Sequence, residues 1–378
     1  MKATWGVYVH LPWCKRRCPY CAFYIEADHG PPWRRFLDAV GRDWQARRAL
    51  FPLDAPRTVS LGGGTPSRLP PEHLAELLTP LRDGQTVECS AEVNPEDALE
   101  WVPAAVAAGV DRVSLGVQTF HPRHARLLNR TCSAPRALQV ARAISEMGVR
   151  TWSVDLMFAL PGQTIDELEH DLDRVLALEA PHVSLYGLTW EDGTPLARAR
   201  DLGRLVAPPD DLWREMYDRC VVRLESAGLY RYEVSNFARP GHESAHNLLY
   251  WTGAPYLGLG PSAHGFAPDG GRWRDVADVD AWMAGAPPEI ERPDPEEAAK
   301  DLLVGGLRGR DGLRAADLPE RFGFAPDPAL VRRLVAARLL ADDPDRLRLG
   351  ADGWPVADAV VRALADGLRV SARARPSC

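Results

Sequence analysis

Through the first two-thirds of the chain, short runs alternate polar with β-branched or aromatic residues. Between them lie longer segments whose apolar positions recur every three or four residues. The runs Val7–Leu11, Thr58–Leu61, Val87–Val93, Arg112–Val117, Thr151–Phe158 and Val183–Leu188 read as strands. Arg136–Met147, with Leu138, Ala141, Ile144 and Met147 on one stripe, reads as a helix. So does Thr164–Leu178, with Ile165, Leu168, Leu172, Val175 and Leu176. Gly109 and Gly148 stand where helices end. Six such βα units in succession predict a parallel sheet, because each crossover helix returns the chain to the same edge. The alternation in Val183-Ser184-Leu185 suits a barrel wall better than a sheet buried on both faces. The expected fold class is α/β: a partial (β/α)6, TIM-like barrel over residues 1–266, with its site at the C-terminal ends of the strands.

A Pro/Gly-rich stretch, 267–295, interrupts the pattern and reads as a linker. Residues 296–378 read as a smaller, winged-helix-like α+β domain: helices, a two-strand wing (Leu339-Leu340 and Leu347-Arg348-Leu349), and a helix from Val356. Acidic and basic residues are nearly balanced there, which favours a packing or lid role over DNA binding. Residues 373–378 read as a frayed tail.

Composition narrows the class. An apolar fraction of 46% and a charged fraction of 26% are those of an ordinary globular protein. A net charge of −7 argues against a nucleic-acid partner. No apolar run is long enough for a transmembrane segment, and no basic-then-apolar leader follows Met1. Cys89, Cys132, Cys220 and Cys378 show no framework spacing, so the expectation is a reduced, cytoplasmic protein.

The densest chemistry is Cys14-Lys15-Arg16-Arg17-Cys18-Pro19-Tyr20-Cys21, directly after the first strand. A C-x3-C-x2-C loop can hold a cubane by three irons and leave the fourth open to a ligand. Structural zinc needs four ligands, and His10 or Cys89 are the candidates for a fourth. The spacing favours the cluster, since no second C-x-x-C or H-x-x-H pair follows. Gly62-Gly63-Gly64-Thr65-Pro66 follows the second strand. Its glycines let a ligand approach the main chain, and the freed carbonyls and amides can take an ammonium and a carboxylate. A glycine-rich turn without a ligand is the plain alternative.

The cysteine loop and the GGGTP turn together resemble the radical S-adenosylmethionine (SAM) superfamily. The resemblance implies a [4Fe-4S] cluster on Cys14, Cys18 and Cys21, with SAM bound at the open iron. It extends to Glu92, Gln118, Arg130 and Asp155, which match SAM-contacting positions of the coproporphyrinogen-dehydrogenase-like branch, and to Tyr8 and Tyr20 as aromatics beside cluster and adenine. Gly63, Gly64 and Thr65 belong to the same implied SAM site. Residues 5–265 are covered, and a HemN-like C-terminal domain follows. Two departures choose within the branch. Phe23 stands where the dehydrogenases carry a fourth cysteine, and His246-Asn247-Leu248-Leu249-Tyr250-Trp251 matches the H-N-x-x-Y-W signature of HemW-type haem chaperones. The resemblance then implies haem on His246, with no residue assigned a catalytic role. It also implies a haem-accepting partner and a reductant for the cluster, and it allows a homodimer and peripheral membrane contact. The alternatives are a radical SAM enzyme acting on a tetrapyrrole, such as oxygen-independent coproporphyrinogen III dehydrogenase, and a zinc-stabilised binding module. For His246 the plain reading is a buried histidine held by hydrogen bonds, with His242 and His264 as rival ligands.

Overall fold

A computed structural model describes residues 4–55 and 57–371. The expected tail at 373–378 therefore lies outside the described residues. The six expected strands form in order: β1 (Trp5–Leu11), β2 (Arg57–Gly63), β3 (Thr86–Val93), β4 (Arg112–Gln118), β5 (Thr151–Phe158) and β6 (His182–Gly187). Each pairs in parallel with the next. They belong to a twelve-stranded open sheet completed by β7 (Tyr230–Arg231), β8 (Asn236–Ala238), β9 (Tyr256–Leu259), β10 (His264–Phe266), β11 (Arg272–Arg274) and β12 (Glu289–Glu291). The order is β12-β11-β10-β9-β1-β2-β3-β4-β5-β6-β8-β7, with β9 parallel to β1 and the outer strands antiparallel.

The principal crossover helices are α1 (Trp33–Arg47), α2 (Ala98–Ala107), α3 (Ala134–Glu146), α4 (Ile165–Leu176) and α5 (Asp210–Ser226). Two of them start on side-chain caps. Ser133 caps α3, and Thr164 with Glu167 forms a reciprocal capping box on α4. Gly109 and Gly148 take positive φ just beyond α2 and α3.

Strand alternation sorts the residues by face. Val7, Val9, Val59, Leu61, Val113, Leu115, Val154 and Val183 are fully buried in the core that includes the outer helices. The alternate positions, among them Ser60, Ser90, Ser114, Ser153 and Ser184, line the inside of the curve. An ordinary barrel interior is packed with branched apolar side chains. Here the inside is small and polar, so it encloses space.

The stretch 267–295 differs from the linker expected of it. It supplies β11, β12 and a short helix, Val279–Met283. Trp282 is 1% exposed, packs 5.3 Å from Phe36 and donates to Asp43 at 3.0 Å. Asp275 accepts two hydrogen bonds from Arg47, at 2.6 and 2.8 Å. Proline and glycine set the turns, but buried tryptophan decides the packing.

Beyond it, α6 (Ala245–Thr252) packs against α7 (Pro295–Gly306), where Gly305 keeps an added Cβ just 3.0 Å from the Tyr250 carbonyl oxygen. The C-terminal part continues with α8 (Pro328–Ala336) and α9 (Ala357–Asp366). Its expected wing is present only as a Leu340–Leu349 bridge, because Arg346–Leu347 pairs with Leu313–Arg314 instead. A second pair, Phe324–Pro326 with Leu368–Val370, was not expected. Backbone hydrogen bonds from Val234 to Arg308 and from Arg310 to Tyr232 join this part to the barrel. Among the described residues no helix is long and apolar enough to cross a membrane.

Candidate cofactor site

Past Leu11 the chain leaves β1 and is tied down at once. Gly64 N donates to Leu11 O at 2.8 Å, and Thr65 N to Trp13 O at 3.0 Å. Asp28 N donates to Cys14 O at 3.0 Å, and Cys21 N closes a turn on Cys18 O at 3.1 Å. Two glycines make this crossing possible. A Cβ on Gly64 would lie 2.5 Å from Pro12 O. Gly63 takes φ +106°, and its Cβ would lie 2.6 Å from the His10 ring.

The result is a cavity of about 440 Å³ at the C-terminal ends of the strands. Cys14, Cys18 and Cys21, all free thiols, enter its wall from one side, and Gly63, Gly64 and Thr65 from the next strand end. Tyr20, Glu92, Gln118, Arg130 and Asp155 lie in the same wall, and of the predicted set Tyr8 does not. Gln118 gets there through a bulge: the β4–β5 register shifts between Gly116 and Gln118, and Gln118 adopts φ +73°. Tyr8 sits lower, its hydroxyl 3.2 Å from His10 Nδ1.

Hydrogen bonds link the sulfurs to the far wall. Arg130 donates to Asn94 Oδ1 at 2.8 Å and to Gly116 O, and its other terminal nitrogen lies 3.9 Å from Cys18 Sγ. That fixes the Asn94 amide, whose Nδ2 donates to Thr65 Oγ1 at 3.1 Å. The Thr65 hydroxyl is thereby free to donate to Cys14 Sγ, 3.3 Å away. Asn94 is a site residue the sequence reading missed, although it lies in the run Ala91-Glu92-Val93-Asn94-Pro95. Ser114 and Tyr186, which also line the pocket, were missed as well.

Burial dominates the electrostatics. It pushes Cys14 up to about 11 and Cys21 upward as well. Burial, then the charge of Asp155, pushes Glu92 up to about 7. Burial also raises Asp155, against hydrogen bonds from Ser114 and Ser184. Neither zinc alternative is free to complete a fourth ligand. Cys89 is 1% exposed in the helix-side core, and His10 Nε2 is held 2.9 Å from Tyr24 O.

His246 lies elsewhere, on α6 beneath the sheet. Glu88 accepts from the Ala245 and His246 backbone N–H groups at 3.2 and 3.0 Å, seating the helix N-terminus on a carboxylate. The His246 ring is 3% exposed, with Nδ1 2.7 Å from Thr58 Oγ1 and Nε2 2.8 Å from Tyr250 OH. Burial lowers it to about 3. In this conformation both nitrogens are engaged, which is the plain arrangement and not an open iron ligand. Of the rivals, His242 Nδ1 pairs with Thr151 at 2.9 Å and His264 is exposed on β10.

The sequence profile of the Radical SAM superfamily matches residues 8–175, and that of the HemN C-terminal domain matches residues 294–356. "Heme chaperone HemW" of Mycobacterium tuberculosis is 39% identical, over 95% of this chain and 94% of that protein. The chain belongs to the HemW family within the radical SAM superfamily. The Bacillus subtilis heme chaperone HemW is 31% identical over 92% of this chain and 96% of its own. A zebrafish (Danio rerio) relative, named radical S-adenosyl methionine domain-containing protein 1, mitochondrial, is 32% identical over 94% of this chain and 86% of that protein. The radical SAM enzyme coproporphyrinogen III oxidase (HemN) from Escherichia coli has the same fold, with a TM-score of 0.81 at 21% identity. It aligns over 96% of this chain and 90% of its own.

Proposed function

We propose that this chain is a haem chaperone. It holds a [4Fe-4S] cluster on Cys14, Cys18 and Cys21, binds SAM over it, and passes haem to an acceptor protein. One observation carries the cofactor half: three free thiols share a pocket wall with Glu92, Arg130, Asp155 and the Gly63-Gly64 backbone. The donor set fits three cluster irons and no more, since His10 and Cys89 are committed elsewhere. Burial disfavours the free thiolates of Cys14 and Cys21, and bonding to cluster irons would favour them.

When bound, cluster and SAM together supply one-electron chemistry, with electrons from an external reductant. The chain's own residues bind and orient. The Thr65 hydroxyl donates to the Cys14 sulfur, and Arg130 beside Cys18 suits a carboxylate. Glu92 and Asp155 would suit ribose hydroxyls and, when ionised, a sulfonium.

The haem half rests on the relatives' function as haem chaperones and on the motif at His246. Its ring is held neutral, the form that ligates iron. Ligation then requires Nε2 to give up Tyr250. The test is anaerobic cluster reconstitution followed by a haemin titration, with and without SAM. Expected are iron and acid-labile sulfide, and a Soret band that changes in His246→Ala. Absence of iron and sulfide removes the cluster from this reading. An unchanged Soret band in His246→Ala removes that ligand, and consumption of SAM with conversion of coproporphyrinogen III replaces the chaperone with an enzyme.

A further inference from the structure

Below the cofactor pocket, the polar inner face of the sheet encloses a second cavity of about 140 Å³. Glu92 and Asp155 wall its upper end and belong to both cavities. Arg112 and His182 wall it lower down, and Ser244 and Asn247 from the start of α6 also line it. Serines of five adjacent strands stand between.

Two donors in this wall are orphaned. Arg112 is 4% exposed, and its Nη1 donates to His242 O at 3.0 Å, but its Nη2 has no partner. His182 is 2% exposed. The Tyr232 hydroxyl accepts from Ser244 N at 3.2 Å, which leaves its own hydrogen to point at His182 Nε2, 2.8 Å away, in one of the two ring tautomers. In that tautomer the ring hydrogen is on Nδ1, which has no partner among the described residues. Two carboxylates share the charge of Arg112, Glu88 in a buried ion pair and Asp155 in the cavity wall, and neither bonds its Nη2. Glu88 is 3.7 Å away and is shared with Arg150 at 3.4 Å, the Ser244 hydroxyl at 3.4 Å, and the two N–H groups at the start of α6. Buried donors without acceptors are costly, most of all when charged.

We infer that this inner cavity binds a small oxyanion, of the size of formate or bicarbonate, seated on Arg112 Nη2 and His182 Nδ1. Water satisfies the hydrogen bonds but brings no charge to the guanidinium. An anion supplies both, and the serine hydroxyls turn to donate to its remaining oxygens. The serines are what make room, since a valine or leucine row would fill the space. Because Glu92 and Asp155 wall the same cavity, an anion there favours their protonated forms and so couples its own binding to the cofactor pocket.

The experiment uses the full chain without cluster. 13C-formate and 13C-bicarbonate are titrated by NMR line broadening, and thermal unfolding is followed in formate against chloride at equal ionic strength. Saturable binding is expected, weakened about tenfold or more in Arg112→Gln by loss of a charged hydrogen bond. Ser90→Val narrows the cavity and leaves both donors in place. It is expected to weaken binding as well, and it decides the matter if Arg112→Gln fails to fold. No saturable signal in the wild type, meaning water only, overturns the inference, as does unchanged binding in Ser90→Val.

Discussion

The Tyr250 hydroxyl lies 2.8 Å from His246 Nε2, one helical turn along the same face of α6. Gly6 permits this arrangement, because a Cβ there would come within 3.2 Å of the His246 ring and 3.0 Å of Leu249. Tyr250 and a haem iron compete for one nitrogen. If His246 is the ligand, Tyr250→Phe removes the competitor and keeps the ring that packs on Tyr256 at 4.8 Å. Haemin affinity should then rise about tenfold, the worth of one buried hydrogen bond. A haemin titration followed at the Soret band measures this. Unaltered affinity, with a stability loss of about 1 kcal/mol, would leave His246 as a core residue.

Glu92 makes the cofactor pocket sensitive to pH. Its folded value of about 7 stands above its ordinary 4.5, so between those values the folded protein binds more protons than the unfolded chain. Stability contributed by this group is present below about pH 4.5 and is lost as pH rises toward 7. Glu92→Gln should flatten that part of the profile, read as urea midpoints across the window. Identical slopes for wild type and variant would sink the assignment. A bound sulfonium favours the ionised carboxylate, so SAM should bind more tightly as pH rises through the same window.

The barrel was legible because period-two alternation is a local signal, and β1 to β6 appeared where it placed them. Which face would be wet was not local. Ser60, Ser114 and Ser153 read equally well as an exposed outer face, and only curvature of the sheet brings them inside. The cysteine loop and the GGGTP turn were legible because their chemistry needs closely spaced residues. Asn94 was not, since an asparagine before proline commonly marks a turn, and its bonds to Thr65 and Arg130 span 29 and 36 residues. Strand β9 and the 267–295 segment were hidden for the same reason. Their partners, β1 and α1, lie more than two hundred residues earlier in the chain.

Gly64 separates the backbone at the cysteine loop from the backbone of the second strand's turn. Its would-be Cβ meets main-chain atoms, Pro12 O at 2.5 Å and Pro12 C at 2.6 Å, which cannot swing aside as a side chain can. Gly64→Ala should cost about 2 kcal/mol by overpacking and should lower the iron and sulfide recovered per chain, although no ligand has changed. Gly41, inside α1 with nothing within 4 Å of its Cβ position, is the control. There, alanine should stabilise by about 1 kcal/mol through helix propensity. Urea unfolding of both variants checks the contrast. Equal stability would mean that the loop yields.

If the three cysteines hold a cluster, Asn94 separates holding it from arranging what binds over it. Its amide joins Arg130 to Thr65, and through them the two sides of the cysteine loop, without itself being a ligand. In Asn94→Ala all three thiols remain, so iron and sulfide content should match the wild type. Arg130 loses the Asn94 acceptor and keeps the Gly116 carbonyl and the Cys18 sulfur, while the Thr65 hydroxyl is free to turn away from Cys14. Two weakened contacts at the cofactor wall should cost SAM about tenfold in affinity. Cys18→Ala should behave differently, losing the chromophore outright because two thiolates cannot hold the cubane. Equilibrium dialysis of SAM against reconstituted protein, alongside metal analysis, distinguishes the two. If Asn94→Ala loses its iron as completely as Cys18→Ala, the hydrogen-bond chain builds the loop and does not merely orient the ligand.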